Sequence, residues 1–165
     1  MLKSIRARTG RKIRGQFAIV ASQYNSRYVD AMLRAAKAEL QRAGQTRFKV
    51  IRVPGAFEIP AVAARLAASA HASRGTHPDL SAIICFGVIF QGETSHAHHI
   101  GWGVTHALAQ IQIEHQIPVI HAVFVFEKEQ HARVRCLGKK HNRGTEAAQT
   151  ALSMAGVMED MESVE

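Results

Sequence analysis

Short apolar runs alternate along the chain with longer segments in which apolar residues recur at helical spacing. The apolar runs predict buried strands. They cover residues 17–21, 48–53, 82–86 and 118–124. The helical patterns cover residues 27–43, 59–72, 96–116, 127–136 and 145–158. This alternation predicts parallel strands with right-handed crossovers, and therefore a three-layer α/β fold with helices on both faces of a four-stranded parallel sheet.

The composition is typical of one ordinary domain, with 165 residues of which 47% are hydrophobic and 21% charged. No apolar run approaches the roughly 20 residues that cross a bilayer, so we do not expect a membrane-spanning segment. Residues 17–21 are also too short a run for the core of a secretory signal. The two cysteines, Cys85 and Cys136, do not suggest a disulfide framework and favour a cytoplasmic location.

The positive charge is concentrated at the N-terminus. Of the 21 basic residues behind the net charge of +8, six lie in the first 14 positions, and the first acidic residue is Asp30. Four acidic residues lie within positions 159–165. We therefore expect a basic arm over residues 1–16, one domain over 17–158 and an acidic end over 159–165. The arm has no aromatic residue for base stacking, so a solvated or assembly-related arm is favoured over nucleic-acid binding.

Polar and aromatic residues follow each of the four predicted strands. These segments are 22–25, 54–58, 87–96 and 126–127. In folds of parallel strands and covering helices, ligands bind at the carboxyl ends of the strands. The sequence therefore predicts a small-molecule site at one edge of the sheet.

Residues 92–95, Gly-Glu-Thr-Ser, lead directly into a predicted helix. The backbone N–H groups and the dipole at a helix start favour phosphate, although a simple N-cap is also typical of this pattern. His96 follows in the first helical turn, where the positive potential keeps an imidazole neutral and able to accept a proton. The alternative is that His96 is an ordinary surface histidine, one of ten in the chain.

Two further segments combine an aromatic ring with a hydrogen-bonding group. Glu58 either stabilises a helix start or, beside Phe57, accepts a hydrogen bond from a heterocyclic N–H. Tyr24 and Asn25 offer a flat ring and an amide. Such pairs suit a planar, polar ligand.

Other chemistries are weaker. Arg135 is either part of a solvated helix face or a clamp for a phosphate. The histidines near position 98 could form a metal site only with further convergent ligands, and the cysteines form no Cys-x-x-Cys pair. The common glycine-rich signatures of dinucleotide and triphosphate binding are absent from the sequence.

Together these segments resemble the lumazine synthase family, the 6,7-dimethyl-8-ribityllumazine synthases of riboflavin biosynthesis. The matching motifs have the expected order between residues 17 and 158. They are Tyr-Asn at 24–25, Val-Pro-Gly-Ala-Phe-Glu-Ile-Pro at 53–60, Gly-Glu-Thr-Ser-His at 92–96 and Asn-Arg-Gly-Thr-Glu-Ala-Ala at 142–148. The resemblance implies a flavodoxin-like sandwich assembled at least as a homopentamer, without a metal or redox cofactor.

The resemblance also implies an activity and a role for each site residue. The family condenses 5-amino-6-(D-ribitylamino)uracil with 3,4-dihydroxy-2-butanone 4-phosphate, and His96 resembles its proton-transfer residue. The implied substrate contacts are Tyr24, Asn25, Ala56, Phe57, Glu58, Val88, Ile89, Phe90, Glu93, Thr94, His121, Arg135 and Arg143. In this family the pocket lies between subunits, and the last three residues of that set belong to the neighbouring chain.

The chain departs from the family pattern at two histidines. His98 stands where an acid is common, and His121 stands where Phe is common. The alternative function is a non-catalytic shell or scaffold that binds lumazine or flavin. Arg135 and His96 argue against it, because a protein that only binds the ring needs neither a phosphate clamp nor a proton acceptor.

Overall fold

All four predicted strands are present in the computed structural model, which describes residues 13–72 and 80–163. They pair in parallel in the order β2-β1-β3-β4. The predicted fold class, a three-layer flavodoxin-like α/β sandwich, is confirmed. The strands are β1 (Gln16–Ser22), β2 (Phe48–Val53), β3 (Leu80–Phe90) and β4 (Val119–Phe126).

Five α-helices lie in the described residues, and none of them is long and apolar enough to span a membrane. A 3₁₀ turn at Ala56–Glu58 precedes the second helix, and the fourth continues into a π-helical turn at Arg133–Leu137. The helices are α1 (Ser26–Arg42), α2 (Ile59–Ala72), α3 (His96–His115), α4 (Glu129–Ala132) and α5 (Arg143–Glu162).

Three predicted boundaries need correction. β3 extends beyond residue 86 because its later residues still pair with β4, up to Phe90 opposite Phe126. The single helix predicted over 127–136 is the four-residue α4 followed by the π-helical turn. The last helix was predicted over 145–158, but α5 begins two residues earlier and continues four residues further, into the acidic end.

Asn142 determines how the chain passes from the π-helical turn into α5. Its side-chain Oδ1 accepts a hydrogen bond from the Gly144 N–H at 2.8 Å, which caps the new helix. Its Nδ2 donates to the carbonyl of Cys136 at 2.6 Å, which satisfies a backbone group of the preceding turn. One buried amide therefore joins the two elements.

The sheet is covered on both faces. Helices α1 and α5 pack against one face, where Ile19 and Ile84 are fully buried. Helices α2 and α3 pack against the other face, where Val20 and Cys85 are fully buried. Alternate residues of a strand thus enter opposite cores, as parallel sheets between helices require.

The strand order creates a crevice beside the first strand. β1 lies between β2 and β3, and the helices that follow β1 and β3 pack on opposite faces of the sheet. Their starts therefore diverge at the carboxyl ends of these two strands. Ligands of doubly wound folds bind at such a point.

Residues 13 and 14 attach the start of the described chain to the end of α5. Ile13 is buried in the same core as α1 and α5. The Arg14 N–H donates to Glu159 Oε1 at 2.8 Å, and the Arg47 guanidinium donates to the Arg14 carbonyl at 3.2 Å. The rest of the predicted basic arm, residues 1–12, and residues 164–165 of the acidic end lie outside the described residues.

The contact between α1 and α5 requires glycine at position 144. A Cβ atom there would lie 1.9 Å from the carbonyl oxygen of Met32, which is a backbone atom in the middle of α1. Only a separation of the two helices would relieve such a clash. Gly156 lies in the same helix, but a Cβ atom there would meet nothing closer than Ile13 Cδ1 at 4.0 Å.

We predict that Gly144→Ala lowers the free energy of unfolding by about 3 kcal/mol or more, because the added methyl group forces the helix backbones apart. Gly156→Ala is the matched control, and it should be neutral or stabilise by up to about 1 kcal/mol through helix propensity. Denaturant unfolding at one protein concentration measures both changes. Equal effects of the two substitutions would contradict the assigned helix contact.

Candidate functional site

The loop after β1 holds the first two predicted site residues. Asn25 adopts a left-handed conformation with φ 56°, and its carbonyl accepts from the Tyr28 N–H at 3.0 Å at the start of α1. Its Nδ2 donates to the carbonyl of Val88 on β3 at 2.8 Å. The Tyr24 ring beside it is 72% exposed. Asn25 thus closes the loop across β1 and β3, while Tyr24 presents a free aromatic face.

The segment after β2 lies against this ring. The Glu58 carboxylate accepts a hydrogen bond from the Gly55 N–H at 2.8 Å. A Cβ atom on Gly55 would lie 2.8 Å from Glu58 Oε2 and 3.2 Å from the Tyr24 ring. The predicted stacking ring and the predicted acceptor therefore flank the same glycine, which must remain small for both to approach.

Ala56 and Phe57 fill the space between this loop and α3. Ala56 is buried and would be 3.3 Å from a Cβ atom on Gly87 of β3. Phe57 is 63% exposed, and its ring would contact a Cβ atom on Gly103 of α3 at 3.6 Å. The 3₁₀ turn thus brings an exposed second aromatic ring beside α3.

The last residues of β3 face in alternate directions. Val88 and Phe90 pack with the core on the side of α1 and α5, whereas Ile89 packs on the side of α2 and α3. The Phe90 ring meets the Tyr28 ring edge-on, with centroids 5.6 Å apart. These three residues therefore form the apolar base of the crevice.

Gln91 organises the predicted phosphate loop. Its backbone N–H donates to the Phe126 carbonyl at 2.9 Å, which ties the loop to the end of β4. Its side-chain amide donates to the carbonyls of Gly92 at 3.0 Å and Thr94 at 2.8 Å. These two bonds fix the orientation of the Gly92 and Thr94 carbonyls. Sequence analysis did not single out Gln91, since glutamine carries no motif by itself.

The loop ends at the start of α3. The Thr94 hydroxyl accepts a long hydrogen bond of 3.4 Å from the His96 N–H. Glu93 and His96 are exposed. The helix start thus keeps backbone N–H groups and an imidazole accessible to solvent. We call Tyr24, Asn25, residues 56–58 and residues 92–96 the rim.

Three predicted site residues are not at the rim of this chain. His121 pairs with Cys85 of β3. It lies five residues before the carboxyl end of β4, a distance of about 16 Å along the strand. Arg135 lies in the π-helical turn and Arg143 at the start of α5. We call His121, Arg135 and Arg143 the edge group, because they lie on both sides of the edge strand β4.

Both arginines influence the buried Cys136 thiol. Burial raises the pKa of the Cys136 thiol to about 11, and the positive charges of Arg143 and Arg135 partly offset that rise. The Arg143 guanidinium lies 5.8 Å from the centre of the Phe124 ring and forms an ion pair with Glu146. Arg135 is exposed. Arg143 is thus engaged within its own chain, whereas Arg135 extends from the surface.

His121 contacts Thr105 on α3 through its ring Nε2. The Thr105 hydroxyl donates its only proton to the Gly101 carbonyl at 2.7 Å. Its oxygen must then accept from His121 Nε2, which lies 2.9 Å away. His121 Nε2 is therefore the donor in this contact and carries a ring proton.

The His121 side chain is exposed along the strand edge, but its ring packs close enough to α3 for desolvation to lower its pKa. A hydrogen bond to its own backbone opposes this effect in part. Among the described residues, no three His, Cys, Asp or Glu side chains converge as a metal site would require.

The fold is a doubly wound α/β sandwich in which polar and aromatic side chains gather beyond the carboxyl ends of the strands. The family model described as 6,7-dimethyl-8-ribityllumazine synthase matches residues 14–159. The chain therefore belongs to the 6,7-dimethyl-8-ribityllumazine synthase family, which confirms the resemblance seen in its motifs.

Curated relatives with the same name support this assignment. The chain is 36% identical over 148 residues to the lumazine synthase of Stenotrophomonas maltophilia strain R551-3, which covers 88% of this chain and 90% of the relative. It is 36% identical over 146 residues to that of Xanthomonas oryzae pv. oryzae strain PXO99A, which covers 87% and 90%. A relative in Xanthomonas campestris pv. campestris strain B100 is 34% identical with the same coverage.

We predict that His121 titrates below its ordinary pKa of about 6.5 and that Thr105→Val lowers this pKa further, because the imidazolium loses the acceptor of its Nε2 proton. Thr105→Ser keeps the hydroxyl and is the control. NMR titration of the imidazole measures the pKa. A value at or above 6.5 in the unmodified protein would contradict the desolvated ring.

The lowered pKa of His121 also determines how the stability of the fold changes with pH. Below pH 6.5 the unfolded chain binds a proton at His121 that the folded chain still rejects. The contribution of His121 to stability is therefore present above pH 6.5 and is lost as the pH falls through its folded pKa.

Proposed function

We propose that the rim of one chain and the edge group of the next chain form one active site. The observation that carries the proposal is the outer edge of β4, which no other strand of the described residues covers. The edge group flanks this uncovered strand. An apolar edge strand needs a cover, and a ring of identical subunits provides one when the edge of each chain meets a different surface of its neighbour.

Exposed apolar side chains near this edge support the same assembly. Trp102 and Ile113 on α3 are 70% and 76% exposed, and Val134 beside Arg135 is 59% exposed. Exposed apolar groups of this size are typical of a protein–protein interface. We propose a homo-oligomer built from pentamers.

The reaction is the transferase activity of the family to which the chain belongs. 5-Amino-6-(D-ribitylamino)uracil condenses with 3,4-dihydroxy-2-butanone 4-phosphate to give 6,7-dimethyl-8-ribityllumazine and phosphate in riboflavin biosynthesis. The uracil amine attacks the ketone and loses water to form an imine, and phosphate then leaves by elimination. Tautomerisation and ring closure with loss of water complete the product. Each step is a condensation, an elimination or a proton transfer, so the proposal requires no metal or redox cofactor.

The rim carries the pyrimidine in this proposal. The exposed ring of Tyr24 stacks on the heterocycle, and Phe57 and Asn25 contact its substituents. Glu58 Oε2 is held by the Gly55 N–H, which fixes the carboxylate and leaves Oε1 to accept a hydrogen bond from the ligand. The apolar base, Val88 to Phe90, lies below the heterocycle, and the imidazole of His121 of the neighbouring chain lies beside it.

The loop before α3 and Arg135 of the neighbouring chain hold the phosphate. Gln91 binds two loop carbonyls, which leaves Thr94, the adjacent N–H groups and the positive helix end to face an anion. Arg143 is paired with Glu146, so the exposed Arg135 is the better candidate for the arginine that binds the departing phosphate. Arg143, which is paired with Glu146 and lies over the Phe124 ring, contributes its charge from its own chain.

His96 accepts and returns the protons of imine formation and elimination. It is exposed in the first turn of α3, beside the loop that binds the phosphate. Holding the two substrates together accounts for several kcal/mol of the acceleration, and proton transfer for about 10²-fold. Cys85 and Cys136 are buried free thiols, which supports the cytoplasm as the proposed compartment.

We predict that His96→Ala lowers turnover by roughly 10²-fold with little change in pyrimidine affinity, because it removes only proton transfer. His98→Ala, also exposed in the same helical turn, is the matched control and should retain most of the activity. Lumazine absorbance and released phosphate, measured together, give the rate. Unchanged turnover of His96→Ala would remove it from the catalytic role, and ring binding without phosphate release by the unmodified protein would favour the non-catalytic shell.

The shared site predicts complementation between two weak variants. His96→Ala and Arg135→Ala chains are unfolded, mixed in equal amounts and refolded together. About a quarter of the pockets in random rings should then combine a good histidine with a good arginine, and activity should rise accordingly. Rings in which each variant is refolded alone are the control. Mixed rings no more active than the average of the two parents would mean that Arg135 serves its own chain.

A further inference from the structure

Glu129, the first residue of α4, receives one hydrogen bond from a distant part of the chain and one from the next helical turn. The Tyr28 hydroxyl donates to Glu129 Oε1 at 2.5 Å, across 101 positions of the sequence. Arg133 Nε, one turn further on, donates to the same oxygen at 3.2 Å. Arg27 lies at 3.8 Å. One carboxylate thus joins the first turn of α1 to the element that carries Arg135.

This element has little structure of its own to hold it in place. Helix α4 has only four residues, and the π-helical turn that follows has five. A helix of this length is not stable by itself, so contacts outside it must fix its position. Ala132 and Cys136 are buried and anchor its inner side. On its outer side, Glu129 provides the connection to α1.

Tyr28 is a firm partner for such a connection. Its ring is only 4% exposed and packs edge-on against Phe90 at the end of β3. Its N–H is bonded to the Asn25 carbonyl, so it is part of the same turn as the rim. The hydroxyl is therefore held in place from two sides before it reaches Glu129.

The protonation states agree with this geometry. The hydrogen bond from Tyr28 lowers the pKa of Glu129, and Arg133 lowers it further. The hydrogen bond to Glu129 raises the pKa of Tyr28. The carboxylate stays ionised and the phenol keeps its proton, so acceptor and donor persist at neutral pH.

We infer that Glu129 is a positioning residue that, through Tyr28 and Arg133, orients the π-helical turn so that Arg135 reaches the phosphate of the neighbouring site. The inference rests on the proposed function, because it takes Arg135 as the phosphate-binding residue. It also means that each chain connects its own rim to the phosphate clamp of the next pocket through one hydrogen-bonded carboxylate. Arg133 stabilises the local conformation, since it closes one helical turn onto Glu129. Tyr28 connects Glu129 to α1.

The test uses Glu129→Gln and Tyr28→Phe, which keep the shape of each side chain and remove the charge or the hydroxyl. Both should raise KM for the butanone phosphate about tenfold, because small misplacements of a positioned group have large effects, and KM for the pyrimidine should change less than about twofold. Asp30→Asn is the matched control. Asp30 lies on α1, the helix that carries Tyr28, but its carboxylate pairs at 2.5 Å with Arg52 of β2. It should leave both KM values unchanged.

A second measurement separates positioning from general loosening of the fold. In the Arg135→Ala background, Glu129→Gln should add almost nothing to the KM for the butanone phosphate, because the residue through which it acts is gone. Additive effects, equal changes in both KM values or a similar change in Asp30→Asn would overturn the inference. An unmodified protein that releases no phosphate, or an Arg135→Ala variant with unchanged KM, would instead show that the proposed function fails. If Arg135→Ala raises this KM and Glu129→Gln does not, the inference alone is wrong.

Discussion

Burial of the parallel sheet on both faces is the constraint on which the rest of this molecule depends. The middle of each inner strand is sealed between two helix layers, as for Ile84 and Cys85. Functional polar groups can therefore lie only where the strands end or where the sheet itself ends. The rim occupies the first location and the edge group the second. The separation of the two groups within one chain follows directly from this architecture.

The rim could be predicted from sequence because each of its parts is local. Gly55 and Glu58 are three residues apart and form their contact within one turn. The loop that leads to His96 directly precedes the helix it serves. The strands and helices were predicted for the same reason, since hydrophobic periodicity is a property of neighbouring residues. Sequence analysis offered Arg135 as one of two alternatives, a phosphate clamp or a solvated charge, and only the family resemblance grouped it with His121, because no local pattern connects the two.

The features that sequence analysis missed depend on side-chain and strand contacts that neither hydrophobic periodicity nor a motif indicates. Nothing near Glu129 indicates that its partner is Tyr28, and nothing near Gln91 indicates that it binds two carbonyls of its own loop. The extension of β3 had the same origin, since residues 87–90 have partners only once β4 lies beside them. The break between α4 and α5 depends on Asn142, whose two hydrogen bonds determine where one element ends and the next begins.

The uncovered edge of β4 also affects the newly synthesised chain. Its eight residues contain no Lys and no Pro, and its pairing with β3 is regular throughout, without a bulge. Lys, Pro and β-bulges are the features by which the edge strands of monomeric proteins discourage unwanted strand pairing. β4 has none of them. In the proposed oligomer, a chain that has folded but not yet met its neighbour leaves this edge unpaired, and its protection from aggregation depends on how quickly it binds a second copy. Dilution, slow synthesis or unbalanced refolding conditions would lengthen the time before two chains meet. The yield of native protein would then depend on the rate of encounter as well as on the stability of each chain.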